Sequence, residues 1–370
     1  MNKLQGATDI HGLRDVILYH TSEPEKFNQI FDLVEKYVPD VAYEHLLKQL
    51  QISCVKAEIQ QHLEEGFDPD YLTNLVASTM NDSTIDQECQ FKVASNSFRD
   101  IHLATDRTNG LHWGLSCLQK SVGNIIKGDF IGIFAYVEVG KTTLAASEVA
   151  NFALQVTDGS ILWLNNEQPE GEVKRMIQQA VLGTSRLEYE EDLDHYESVY
   201  KELLGGDLNR ILLVDIHGQD LNHVKQCLEH YKPRLVIVDR IDKIMTGGRE
   251  AKAAKHEQFG FICQQLRQLA QEYCPIIAIT QADKSVRYQD WKTKENVDIK
   301  YIDFSQMATS HVAAPAEFDV IVGIGKDQAF PSLRYIHVSK NKIGPSNDPN
   351  VRNIKSVVRL NGGISRYEDV

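Results

Sequence analysis

Residues 130–147 read FIGIFAYVEVGKTTLAAS. The apolar run Phe130–Ala135 predicts a short buried strand, a turn follows, and Gly140-Lys141-Thr142-Thr143 opens a helix. A strand, a tight turn and a helix start, in that order, build a phosphate cradle. The backbone N–H groups of the turn converge on one point, and the positive end of the helix dipole faces the same point. In such a loop Gly140 lets backbone approach phosphate, Lys141 reaches the β- and γ-phosphates, and the Thr142 hydroxyl holds Mg²⁺. Ala135, Val139 and Thr143 complete the expected nucleotide contacts. The full pattern G-x-x-x-x-G-K-[ST] has glycine where this chain has Ala135. The loop residues alone therefore also allow a plain helix start with a solvated lysine.

Outward from this stretch, apolar runs alternate with helical ones. The runs are FIGIFA (130–135), SILWLN (160–165), RILLVD (210–215), RLVIVD (234–239), PIIAIT (275–280), DVIVGI (319–324) and RYIHVS (334–339). Residues 145–157 and 170–182 carry helical periodicity between the early runs. Such alternation predicts an α/β domain with a mostly parallel sheet covered on both faces.

Ligands of open α/β sheets bind at the carboxyl ends of the strands, so the residues there are the chemical candidates. The second run ends in Asn165-Asn166-Glu167. Glu167 suits a general base or a water-orienting role, and a surface glutamate in a turn is the bland alternative. The fourth run ends in Asp239 after four apolar residues. That carboxylate suits Mg²⁺, directly or through water; a capping aspartate is the alternative. Gln281 follows the fifth run and can sense a γ-phosphate or simply cap a helix.

The order of these motifs resembles the ATPase domain of DnaB-like, RecA-fold replicative helicases, particularly the phage-type ones, over roughly residues 105–362. The lead-in Gly110-Leu111-His112-Trp113-Gly114-Leu115 … Lys127-Gly128-Asp129 matches the family's lead-in. Alanine at the first loop position is common in that family, so Ala135 fits, whereas Tyr136-Val137 stands where Arg-Pro is usual. The resemblance implies ATP and Mg²⁺ as cofactors and makes Glu167 the catalytic glutamate. It makes Asp239 the second nucleotide motif and Gln281 the residue that couples phosphate state to a DNA loop. The stretch Met307–His311 to Asp319 resembles the family's approach to the next strand. Val338-Ser339-Lys340-Asn341-Lys342-Ile343-Gly344-Pro345 resembles the element that reaches a neighbour's γ-phosphate. Here Lys340 keeps the lysine and Lys342 replaces the arginine, a point charge in place of a bidentate fork.

The resemblance also implies single-stranded DNA held by two loops in a homo-oligomeric, hexameric ring, with 5′→3′ movement. Arg240, Lys243 and Arg249 follow Asp239, and Lys284, Arg287, Lys292 and Lys294 follow Gln281 with Tyr288 and Trp291 interleaved. Basic side chains suit phosphates and aromatic ones suit bases, although lysines in loops are commonly just solvated. A second reading is a RecA-fold assembly, loader or recombinase-like protein with weak ATPase activity, favoured by Tyr136-Val137 and by Lys342.

The chain has 370 residues, 42% of them hydrophobic, and a formal net charge of -13. The first 100 residues hold 8 Lys and Arg against 17 Asp and Glu. A global basic field for nucleic acid is thereby excluded, and any such binding must be local. Residues 1–80 are expected to form an acidic helical domain, 81–104 a linker and 105–370 the ATPase domain. The first domain carries no catalytic motif and suits docking of a separate primase, loader or polymerase. Six scattered cysteines without a C-x-x-C pair point to buried thiols in a reducing compartment. With no apolar leader or membrane span, a cytoplasmic protein is expected, in host cytoplasm if the source is viral.

Overall fold

The computed structural model describes residues 96–247, 252–283, 300–307 and 313–370. Residues Ser97–Val370 form one compact unit. The expected acidic helical domain, with its boundary at residue 80, lies outside the described residues. The C-terminal part of the segment read as a linker is a helix, α1 (Phe98–Thr105), with no buried residue.

Nine strands form one sheet: β1 (Phe130–Ala135), β2 (Ile161–Asn165), β3 (Ile211–Asp215), β4 (Leu235–Asp239), β5 (Ile276–Gln281), β6 (Val320–Lys326), β7 (Leu333–Asn341), β8 (Lys355–Asn361) and β9 (Arg366–Asp369). Their order is β3-β2-β4-β5-β1-β6-β7-β8-β9. β1 to β6 are parallel, and β7 to β9 continue the sheet antiparallel. The α/β architecture read from the alternating runs is the one observed. The helices are α2 (Ser116–Val122), α3 (Lys141–Gln155), α4 (Glu170–Leu182), α5 (Arg186–Glu190), α6 (Leu193–Leu203), α7 (Leu221–Tyr231), α8 (Lys255–Glu272), α9 (Ala313–Glu317) and α10 (Pro349–Arg352).

Every residue of β1, β2 and β4 is buried, which explains their unbroken apolar composition. Phe130 stacks on Phe318 at 4.3 Å between ring centroids. A Cβ at Gly132 would sit 3.1 Å from the Phe318 ring, so the centre of β1 needs glycine. The lead-in is pinned by a bidentate pair, Arg107 Nη1 and Nη2 to Asp129 at 2.7 and 2.8 Å. The four cysteines among the described residues are buried free thiols. Among the described residues no helix is long and apolar enough to cross a membrane.

Candidate nucleotide site

β1 ends at Ala135 and α3 begins at Lys141, so the turn between them spans the carboxyl edge of the sheet. Gly140 has φ of 107°, a left-handed conformation that a side chain resists. A Cβ there would also lie 2.7 Å from the Tyr367 hydroxyl. Ala135 and Val139 are buried within the loop base, and Thr143, the third residue of α3, is half-buried.

β4 lies two strands from β1, with β5 between them. That spacing brings Asp239 under the start of α3. The Thr142 hydroxyl donates to Asp239 Oδ2 at 2.9 Å. Asp239 is fully buried, and its Oδ1 has no hydrogen-bond partner. Burial, with the nearby charge of Glu167 adding to it, pushes its carboxyl up to about 7. A buried, half-satisfied carboxylate beside a hydroxyl is the donor set a hard divalent cation takes. The residues present therefore fit Mg²⁺ at Thr142 and Asp239. Burial lowers the Lys141 ammonium from its ordinary value, and Glu167 and Asp239 offset part of that. An anionic phosphate would offset the rest.

Glu167 follows β2, whose end is level with that of β4 (Asn165 opposite Asp239). Its Oε1 accepts from Arg240 Nη1 at 2.8 Å. Gln281, half-buried at the end of β5, lies opposite Ala135 at the end of β1. Lys141, Thr142, Asp239, Glu167 and Gln281 thus share one edge of the sheet.

Other expected site residues fall elsewhere. Arg240, read as a nucleic-acid contact, has its guanidinium on Glu167 and Asp242 and is only 11% exposed. Lys243 is exposed in the short turn Ile241–Lys243. Arg249, Lys284, Arg287, Lys292 and Lys294 lie outside the described residues. Lys340 sits opposite Ile321 near the start of β6, and the Lys342 N–H donates to the Asp319 carbonyl at 2.8 Å. Both are therefore at the amino edge of the parallel strands, away from the loop that leaves Ala135. Lys340 Nζ donates to the carbonyls of Pro315 (2.5 Å) and Ala316 (3.0 Å), and Lys342 Nζ to Ala316 (3.1 Å), at the end of α9. Burial, then the charge of Lys342, pushes Lys340 down to about 8. Within one chain neither lysine meets Lys141.

The sequence reading missed β8 and β9, and with them part of the support behind the loop. The Tyr367 hydroxyl in β9 donates to the Gly140 carbonyl (3.1 Å), and Arg334 Nε in β7 donates to the Val139 carbonyl (2.6 Å). Asp369 accepts from the Ser116 N–H at 3.2 Å, and Arg366 Nε caps α4 at the Ala180 carbonyl at 2.6 Å. The dipeptide Asn361-Gly362 between two alternating runs was the available hairpin signal.

A parallel sheet, a phosphate loop at its central strand and a carboxylate at the end of β4 define a nucleoside-triphosphate-binding domain of the RecA type. The family model described as an AAA domain matches residues 98–286, slightly more than half of the chain. The chain belongs to that AAA-domain family. Its fold is that of DnaB-like helicase ATPase domains. One solved structure, an isolated helicase ATPase domain, superposes with a TM-score of 0.60 at 15% identity, over 75% of this chain and 100% of that one. A DnaB-like replicative helicase, described with its interactions with primase, superposes with a TM-score of 0.60 at 13% identity, over 95% of this chain and 80% of that one. No curated protein sequence matches the chain.

Proposed function

We propose that this protein is an ATP-driven DNA helicase that moves along single-stranded DNA as a homo-oligomeric ring. The observation that carries the ATPase part is the convergence of Lys141, Thr142 and Asp239, with Asp239 Oδ1 left unpartnered. The loop N–H groups and Lys141 bind the β- and γ-phosphates of ATP. Thr142 and Asp239 would hold Mg²⁺, which when bound would neutralise charge on the transferring phosphate. Glu167 orients the attacking water and takes its proton as the oxygen bonds to the γ-phosphorus and ADP leaves. Gln281, beside the loop at the end of β5, responds to the γ-phosphate and passes its state to the segment that follows.

Lys340 and Lys342 serve a neighbouring subunit's site, since their own chain keeps them at the opposite edge of the sheet. α1 supports assembly: Phe98 is 92% exposed and Leu103 65%, apolar surface that a second copy would cover. Lys243, with Arg249, Lys284, Arg287, Lys292 and Lys294, supplies the phosphate contacts to DNA. A hexamer and 5′→3′ polarity are proposed by analogy with DnaB-type helicases alone. The DnaB-like relative is described with its interactions with primase, which supports reading a primase as the partner of residues 1–80, with a loader or a polymerase as alternatives.

The test is ATP hydrolysis by the purified chain with and without single-stranded DNA, beside Lys141→Ala. Strong stimulation by DNA, lost in the variant, supports the motor. Weak turnover indifferent to DNA supports the second reading, an assembly or loader protein with low ATPase activity. One observation favours that second reading: Glu167 is ion-paired with Arg240 rather than free.

A further inference from the structure

That ion pair belongs to a longer chain of contacts. Glu167 and Arg240 are 20% and 11% exposed and 2.8 Å apart. The same guanidinium holds Asp242 through Nε at 3.1 Å and Nη2 at 2.5 Å. Asp242 Oδ1 accepts from the Thr280 hydroxyl at 3.3 Å, one residue before Gln281. The contacts therefore cross three adjacent strand ends, those of β2, β4 and β5.

A carboxylate oxygen engaged by a guanidinium N–H has a lone pair occupied, and the ion pair makes the carboxylate a weaker proton acceptor. Arg240 has a second anion in Asp242, which already takes two of its donors. The contact to Glu167 can therefore open without stranding a buried cation. Arg240 and Asp242 flank and occupy the turn Ile241–Lys243, whose Lys243 is exposed. A polyanion drawn to Lys243 acts on that turn directly.

We propose that Arg240 is a positioning residue that latches Glu167 in an idle orientation. Binding of a nucleic-acid phosphate at Lys243 shifts the guanidinium wholly onto Asp242 and frees Glu167 to accept the proton of the attacking water. The proposal rests on the reading of Glu167 as the base of an ATPase.

The experiment is steady-state ATP hydrolysis by the full chain, with and without a thymidine oligonucleotide, for wild type, Lys141→Ala, Arg240→Gln, Arg240→Lys and Asp242→Asn. Arg240→Gln raises DNA-free kcat by roughly threefold or more with little change in KM, and its stimulation by DNA collapses toward unity. Arg240→Lys keeps a cation on Glu167 and restores much of the stimulation. Asp242→Asn, which removes the receiving anion, moves the other way and lowers the DNA-stimulated kcat. A fall in DNA-free kcat in Arg240→Gln with an unchanged stimulation ratio overturns the latch. An unchanged or raised stimulated kcat in Asp242→Asn overturns it too, and that arm decides if Arg240→Gln does not fold. Absence of wild-type turnover, or turnover that survives Lys141→Ala, overturns the ATPase reading and the latch with it. Normal behaviour of those two controls confines any failure to the latch.

Discussion

The Thr142 hydroxyl donates to Asp239 Oδ2 at 2.9 Å, joining the start of α3 to the end of β4 across 97 residues of sequence. It is the contact by which the loop and the second carboxylate become one site. Removing the hydroxyl leaves a fully buried carboxylate with neither oxygen hydrogen-bonded by a side chain. Thr142→Val is expected to lower affinity for Mg-nucleotide at least tenfold, read by titration calorimetry. It is expected to cost about 1–3 kcal/mol of stability in urea unfolding.

Glu167→Gln keeps the size of the side chain and its amide oxygen for Arg240, but cannot take a proton. The expected result is a kcat lower by about 10²–10⁴ with nucleotide affinity nearly unchanged, measured by steady-state turnover and fluorescent-nucleotide binding. An equal loss in both quantities would assign Glu167 to binding instead.

The phosphate loop leans on the C-terminal strand. Tyr367→Phe deletes the donor to the Gly140 carbonyl while keeping the buried ring. About 1 kcal/mol of stability should be lost, and KM for ATP should rise more than kcat falls. Gly140→Ala is expected to be worse, because its added methyl meets the Tyr367 hydroxyl at 2.7 Å in a left-handed backbone.

Glu148 in α3 is buried and accepts from the N–H groups of Gly114 (2.7 Å) and Leu115 (3.2 Å). Burial dominates those bonds, the charge of Asp369 adds to it, and the carboxyl is pushed up to about 7 from 4.5. A folded-state value above the unfolded one means that the folded chain keeps a proton the unfolded chain releases. Stability should therefore fall as pH rises through that window and level off above it, by on the order of 3 kcal/mol. Glu148→Gln should flatten that slope, measured as unfolding free energy against pH.

Much of this was legible in the sequence, because the buried parallel strands read as continuous apolar runs with polar residues at their ends. The seven expected runs coincide with β1 to β7 within a residue or two. β8 and β9 escaped because they are partly exposed and antiparallel: Lys355 and Arg359 interrupt β8, and β9 has four residues. The partners of Arg240 were illegible for another reason. A basic residue after a strand reads as a free cation until the fold sets Glu167, 73 positions earlier, beside it. Lys340 and Lys342 were read from resemblance to an element that reaches a neighbouring subunit, and only the register of β7 shows them at the opposite edge from Lys141.

The proposed motor couples ATP hydrolysis at Lys141, Thr142, Asp239 and Glu167 to strand separation. The most direct measurement is unwinding of a forked DNA duplex by the full chain with Mg-ATP, beside Lys141→Ala. Strand separation that needs ATP and disappears in the variant is expected. Hydrolysis that proceeds normally while the duplex stays intact on every fork geometry would contradict it.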